Sequence, residues 1–195
     1  MRPTRPSKRT LKAAGQIRII GGRWRGRKLP VLDLEGLRPT TDRLKETLFN
    51  WLQFECAGAR VLDAFAGAGS LGMEALSRGA AYAVFVERSA PAAAQLSDNL
   101  RRLEAETISE VHKGDIQSYL KTPQIPYDLV FLDPPFHQNL LAQVIPQLVS
   151  ANALSNGSWV YVESEHPLPY ETPENWRLHR EKLAGQVCCR LYHVQ

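Results

Sequence analysis

From about residue 59 the chain alternates short apolar runs with longer stretches in which apolar positions return every three to four residues. Runs of this length suit strands buried on both faces, and the longer stretches suit amphipathic helices. The pattern predicts strands near 59–65, 82–87, 108–113, 127–132 and 158–163. Helices are predicted near 70–78 and 90–104, with a short one near 116–120 and another near 138–150. Alternating strands and helices imply an α/β fold with a mostly parallel sheet and helices on both faces. The tail from Trp176 to Val194 holds two strand-like runs around Gly185, read as an antiparallel hairpin closing the sheet.

The amino end is patterned differently. Residues 1–16 are polar, basic and proline-containing, with little to bury, and read as a flexible tail. Arg18-Ile-Ile-Gly-Gly-Arg-Trp-Arg-Gly-Arg-Lys-Leu mixes apolar and basic residues around glycines and predicts a hairpin with Gly21-Gly22 as its turn. A helix follows Leu37-Arg-Pro-Thr-Thr-Asp, with Thr41 as its N-cap, Leu44, Leu48, Trp51 and Leu52 as its apolar stripe, and Arg38, Arg43 and Lys45 on its polar side. The expected division is a tail (1–16), a basic hairpin-and-helix extension (17–54) and the α/β domain (55–195).

Charge gives the extension a meaning. The net charge is +4, but residues 1–28 hold ten Lys or Arg and no acid, leaving fourteen basic and twenty acidic residues beyond, a net of −6. One basic end on an acidic body suggests a polyanionic partner. Arg18, Arg23, Trp24, Arg25, Arg27, Lys28, Arg38 and Arg43 are the candidate nucleic-acid contacts; a solvated hairpin is the plainer alternative. Three cysteines, two of them adjacent, make neither a disulfide framework nor a metal-ligand spacing, so a reducing compartment and no metal are expected. No apolar run approaches membrane-spanning length and no signal peptide is visible, so the reading is cytoplasmic.

The candidate chemistry sits at strand ends. Val61-Leu-Asp-Ala-Phe-Ala-Gly-Ala-Gly-Ser-Leu-Gly follows the first strand of the α/β region and opens a helix, and its glycines 67, 69 and 72 satisfy G-x-G-x-x-G. Glu87, twenty residues after Gly67, is placed to bind a ribose diol. Alone, this loop does not separate a nicotinamide site from an S-adenosylmethionine site. Asp63, just before the loop, opposes a pyrophosphate but suits the ammonium of a methionine moiety, and Asp115 suits an adenine amino group. Asp63, Phe65, Gly67, Gly69, Glu87, Arg88, Asp115 and Ile116 are therefore the candidate cofactor residues, although each acid singly could be a helix cap. Leu129-Val-Phe-Leu-Asp-Pro-Pro-Phe ends the fourth strand of this region in a carboxylate. Asp133 and the Pro134 carbonyl can both accept hydrogen bonds from one NH₂ group, and the ring of Phe136 can stack on a planar base. A strand-ending turn is the plainer reading.

In this order the motifs resemble those of class I methyltransferases acting on exocyclic amino groups. Arg18–Leu29, Arg38-Pro-Thr-Thr-Asp-Arg, Asp133-Pro-Pro-Phe and Val162-Glu-Ser-Glu resemble the bacterial RsmD family over roughly residues 16–195. That resemblance implies a Rossmann-like, mostly parallel seven-stranded sheet with an antiparallel carboxy-terminal hairpin. It also implies S-adenosylmethionine as methyl donor, and N2 of one guanine of 16S ribosomal RNA in the assembled small subunit as acceptor. Ribosomal-protein contacts and a monomeric enzyme go with it. The alternatives are an N6-adenine methyltransferase on DNA or RNA, an NAD(P)-dependent oxidoreductase, and a non-enzymatic RNA-binding assembly factor.

Overall fold

The structure, a computed structural model, describes residues 13–32, 42–167 and 170–195. Arg38, Thr41 and the basic residues before position 13 lie outside that range.

The α/β region begins with β3 (Arg60–Asp63), after a hairpin of β1 (Ala13–Arg18) and β2 (Lys28–Leu32) and helix α1 (Asp42–Trp51). It continues with α2 (Ser70–Ser77), β4 (Tyr82–Glu87), α3 (Ala90–Arg102), β5 (Ser109–Lys113), α4 (Ile116–Tyr119), β6 (Tyr127–Leu132), α5 (Leu140–Ser150), β7 (Leu154–Glu165), β8 (Trp176–Ala184) and β9 (Val187–Val194). The seven-stranded sheet has the order β5-β4-β3-β6-β7-β9-β8. β5 through β7 are parallel, and β9 and β8 are antiparallel additions, with β9 inside and β8 at the edge. The chain winds outward from β3 in both directions, so the topological switch point lies between β3 and β6, and a crevice for a ligand opens beyond the carboxyl ends of these strands.

Alternation along the central strands divides the core. Val61, Phe85, Leu129, Phe131 and Tyr161 face one layer, with the hairpin, α1, α2 and α3; Leu62, Val84, Val130, Val160 and Tyr192 face the other, with α4 and α5. Leu129 to Leu132 are fully buried, as a strand covered on both faces requires.

The extension is built into this core. Ile17, Ile19, Trp24, Leu29 and Val31 belong to the same apolar cluster as Phe85 and Phe131. Three sequence expectations change as a result. Gly21-Gly22 does not make the hairpin turn: the reversal runs through residues 19–27, closed by Ile19 N–H to the Arg27 carbonyl (2.9 Å) and Gly26 N–H to the Ile19 carbonyl (2.8 Å). The glycines instead let the chain press on α2, since a Cβ on Gly22 (φ +72°) would lie 1.8 Å from the Ser77 carbonyl oxygen. Trp24 is buried, with the Arg23 guanidinium 4.0 Å above its ring, so the indole serves packing and has no open face for a base. Lys45 is also buried; its ammonium donates to the Arg18 carbonyl at 2.6 Å and adds nothing to the basic surface. Phe49, outside the expected stripe of α1, is fully buried against Phe131, the ring centroids 6.0 Å apart.

Candidate active site

Four acids line the carboxyl edge of four neighbouring strands. Asp63 of β3 pairs in register with Phe85 of β4 and Phe131 of β6, and Phe131 pairs with Tyr161 of β7. Two residues further along, on the same face by alternation, stand Glu87, Asp133 and Glu163. The row across the sheet is therefore Glu87, Asp63, Asp133, Glu163, with Asp63 set one step deeper. Phe49, Phe131 and Tyr161 form its apolar floor.

Each acid is held differently. Asp63 is buried and accepts the Gly72 N–H at 3.0 Å. Burial pushes its carboxyl up to about 7; the Gly72 bond opposes that shift, and the charges of Asp133 and Glu87 add to it. Glu87 accepts the Gly67 N–H at 2.8 Å on one oxygen and the Ser89 N–H at 2.5 Å on the other. Asp115 is exposed and caps α4 through the Ser118 N–H (2.7 Å) and hydroxyl (3.1 Å), which hold its carboxyl below the ordinary range. Ile116, next to it, is buried in the second core layer; Phe65 is half-buried there, and Arg88 is exposed.

This arrangement bears on which cofactor fits. In a dinucleotide site the loop amides and the helix N-terminus face a diphosphate. Here Gly67 and Gly72 give their N–H groups to Glu87 and Asp63. A diphosphate would meet a row of carboxylates with those amides already engaged, whereas a cation carrying an ammonium and a ribose diol matches the donors it lacks. The glycines serve geometry as well: Gly69 (φ +75°) precedes α2 in a left-handed conformation, and a Cβ on Gly72 would sit 2.3 Å from the Phe85 ring.

Beyond Asp133 the turn is stiff. Asp133 and Phe136 are half-buried and Pro134 is buried. His137 (φ +62°) and Asn139 (φ +51°) adopt left-handed backbone, and the His137 N–H donates to Glu165 Oε1 at the end of β7. Strained backbone held by a neighbouring strand is typical of a shaped site.

Sequence reasoning missed Glu163 as a site residue. It is buried, accepts the Tyr161 hydroxyl at 2.8 Å, and is pushed up to about 8 by burial and by the Asp133 charge, with the Tyr161 bond opposing. Its segment, Val162-Glu-Ser-Glu, was legible, but strand pairing is what puts it beside Asp133.

On the candidate nucleic-acid side, Arg18, Arg23, Arg25, Arg27, Lys28 and Arg43 are exposed. Arg18 pairs with Asp42 at 2.9 Å, and Arg27 donates to the Arg102 carbonyl at 2.7 Å. No helix among the described residues is long and apolar enough to cross a membrane.

The chain is similar to known proteins over nearly its whole length. It is 51% identical over 181 residues to Ribosomal RNA small subunit methyltransferase D of Escherichia coli, covering 92% of this chain and 90% of that protein. With the protein of the same name from Haemophilus influenzae it shares 51% over 186 residues, covering 94% and 96%. The solved structure described as "Putative methyltransferase yhhF from Escherichia coli" superposes with a TM-score of 0.86 at 50% identity, covering 93% of this chain and 99% of the other. The family described as Conserved hypothetical protein 95 matches residues 17–193. With these likenesses added to the fold and the acid-lined crevice, the chain belongs to that family, the RsmD family, and is a methyltransferase.

Proposed function

We propose that the protein transfers a methyl group from S-adenosylmethionine to the exocyclic N2 of one guanine in 16S ribosomal RNA within the assembled small subunit. The observation that carries this reading is the acid row in which Asp133-Pro-Pro-Phe stands beside Asp63 and Glu87. A cation binds along Asp63 and Glu87, and a base amino group is received at Asp133, one strand away. The names of the relatives, ribosomal RNA small subunit methyltransferases, support RNA as the substrate.

In this reading Asp63 holds the methionine ammonium, Glu87 the ribose hydroxyls and Asp115 the adenine amino group, with Phe65, Gly67, Gly69, Arg88 and Ile116 shaping the pocket. When bound, S-adenosylmethionine supplies an electrophilic methyl group, whose carbon–sulfur bond breaks with its electron pair left on sulfur as the nitrogen–carbon bond forms. Asp133 and the Pro134 carbonyl accept the two N2 hydrogens and so aim the nitrogen lone pair. Phe136 stacks on the extruded base. The methylated nitrogen is briefly cationic and loses one proton to Asp133, which passes it to water. Fixing the near-attack geometry contributes several kcal/mol, the largest share of the acceleration.

Residues 17–54 are assigned to RNA binding and 55–195 to methyl transfer, with 1–16 as a basic tail. A monomer working in the cytoplasm on the small subunit, in reach of ribosomal proteins, completes the proposal. Mass-spectrometric mapping of 16S ribosomal RNA from a strain lacking the protein tests it. Loss of a single N2-methylguanine, restored by the purified protein with labelled S-adenosylmethionine, is the expected result. An intact guanine pattern, or loss of N6-methyladenine instead, overturns it.

A further inference from the structure

Glu163 is a buried carboxyl that the reaction above does not use, and its surroundings are unusual for an acid. It lies in the fifth parallel strand, one pair past Leu132↔Val162, which brings it beside Asp133. Its floor is Tyr161, whose hydroxyl donates to Glu163 Oε1 at 2.8 Å and whose ring meets Phe131 edge-on at 6.3 Å. On its other side β9 places Cys189 opposite it. Burial pushes the Cys189 thiol up to about 12, and the Glu163 charge adds to that, so Cys189 stays neutral beside it. Among the described residues the nearby cations are engaged elsewhere. Lys182 of β8 donates to the Thr47 hydroxyl at 2.9 Å, and Arg190 turns to the opposite face, to Glu181 at 2.6 Å and Ser164 at 3.3 Å. Burial acts most strongly on Glu163, with the Asp133 charge adding to it on one side and the Tyr161 hydroxyl opposing it on the other.

Two carboxyls side by side in a partly dry site do not both ionise; one keeps a proton. Asp133 is half-buried and opens toward the crevice, whereas Glu163 is only 5% exposed. The proton therefore resides on Glu163. A carboxyl that is neutral and already accepts from Tyr161 has one O–H left to donate.

We propose that Glu163 is a positioning residue for Asp133: its neutral carboxyl donates to the Asp133 carboxylate and holds that carboxylate facing the amino group to be methylated. The inference rests on the guanine-N2 reading above. Glu163 consumes no proton in the reaction. The proton leaving N2 passes to Asp133 and then to water, and the Glu163 proton stays in place. When Glu163 ionises, the donor is lost, the paired charges repel, and Asp133 turns from the amino group. Activity then depends on a neutral Glu163 and falls on the alkaline side.

The test measures kcat against pH with saturating labelled S-adenosylmethionine, on small ribosomal particles from a strain lacking the protein. Cofactor affinity by calorimetry and thermal melting are recorded in parallel for wild type, Glu163→Gln, Glu163→Ala and Tyr161→Phe. Gln keeps a neutral donor of the same shape, so Glu163→Gln should hold kcat near neutrality within about threefold while losing the alkaline limb. Glu163→Ala should lower kcat by about 10- to 100-fold with cofactor affinity little changed. Tyr161→Phe removes a bond that favours the ionised carboxylate, so its alkaline limb should move to higher pH. A Glu163→Gln enzyme that keeps the wild-type alkaline limb overturns the inference. So does a Glu163→Ala enzyme with wild-type kcat, or Glu163→Gln and Tyr161→Phe proteins that both lose cofactor binding and melting together. A wild-type protein inert on the particles overturns the guanine reading and this inference with it; an active wild type with indifferent Glu163 variants overturns this inference alone.

Discussion

Asp63 shows how one residue can be costly to the fold and useful to the site. Its carboxyl is buried and pushed up to about 7, so the folded chain binds a proton there that the unfolded chain gives up near pH 4. A group whose folded pKa is raised in this way loses its stabilising contribution as pH rises from about 4 through about 7. Asp63→Asn keeps an acceptor for Gly72 and removes the charge. In the ligand-free protein it should raise the melting temperature at pH 8, by roughly 2–4 °C for each kcal/mol relieved, and leave it nearly unchanged at pH 4. If Asp63 holds the ammonium as proposed, the same substitution should weaken S-adenosylmethionine binding by about 10- to 100-fold, because that charge-assisted bond is lost. Calorimetry across pH separates the two effects: wild-type affinity should climb between pH 6 and 8 as Asp63 ionises, and the Asn variant should lack that climb. In the proposed reading Asp133 acts on the other substrate. Asp133→Ala should abolish transfer to RNA while leaving cofactor affinity within about twofold, as checked by tritium incorporation and calorimetry on one preparation.

At the scale of elements, the basic hairpin is docked by buried polar contacts as well as by apolar area. The Ser77 hydroxyl of α2 accepts the Trp24 N–H at 3.0 Å and donates to the Gly21 carbonyl at 2.6 Å. Fully buried Glu74 accepts the Ile20 N–H at 2.8 Å on one oxygen and the Arg78 guanidinium at 2.8 Å on the other. Asn99 of α3 donates to the Pro30 carbonyl at 3.0 Å. Ser77→Ala leaves a buried N–H and a partly buried carbonyl unpaired and should cost about 1–3 kcal/mol in urea unfolding. Gly22→Ala forces a methyl group against the Ser77 carbonyl and should cost more than Ser77→Ala in the same measurement. Phe49 of α1, which packs edge-on against Phe131, also forms part of the floor of the site.

Across the whole molecule, charge is sorted. Arg18, Arg23, Arg25, Arg27 and Lys28 are exposed on one layer of the sheet, and the acids line the crevice at its carboxyl edge. In the proposed reading, RNA held by the first is fed to the second. Deleting residues 1–28 would test this poorly, because Ile17, Ile19 and Trp24 are core residues and their loss attacks the fold. Replacing exposed Arg25 and Lys28 by Ala is the cleaner experiment. Each phosphate contact removed should flatten the slope of log K against log salt by about 1, with thermal melting unchanged. A slope that does not move would place the RNA on another face.

The order of strands and helices, the parallel sheet and the candidate acids Asp63, Glu87 and Asp133 were determined by the sequence itself. Apolar period, turn chemistry and strand-end carboxylates are local properties, and local properties can be read along a chain. Tertiary structure decided what each of those residues touches. Trp24 and Lys45 read as surface residues because aromatic and basic side chains suit RNA, yet both are buried where the hairpin packs, and that docking depends on α2, more than fifty residues away from Trp24. Glu163 lies thirty residues from Asp133 and became its neighbour only through the pairing of β6 with β7. Whether a carboxyl is ionised depends on burial and on nearby charge, and both are set by elements distant in sequence.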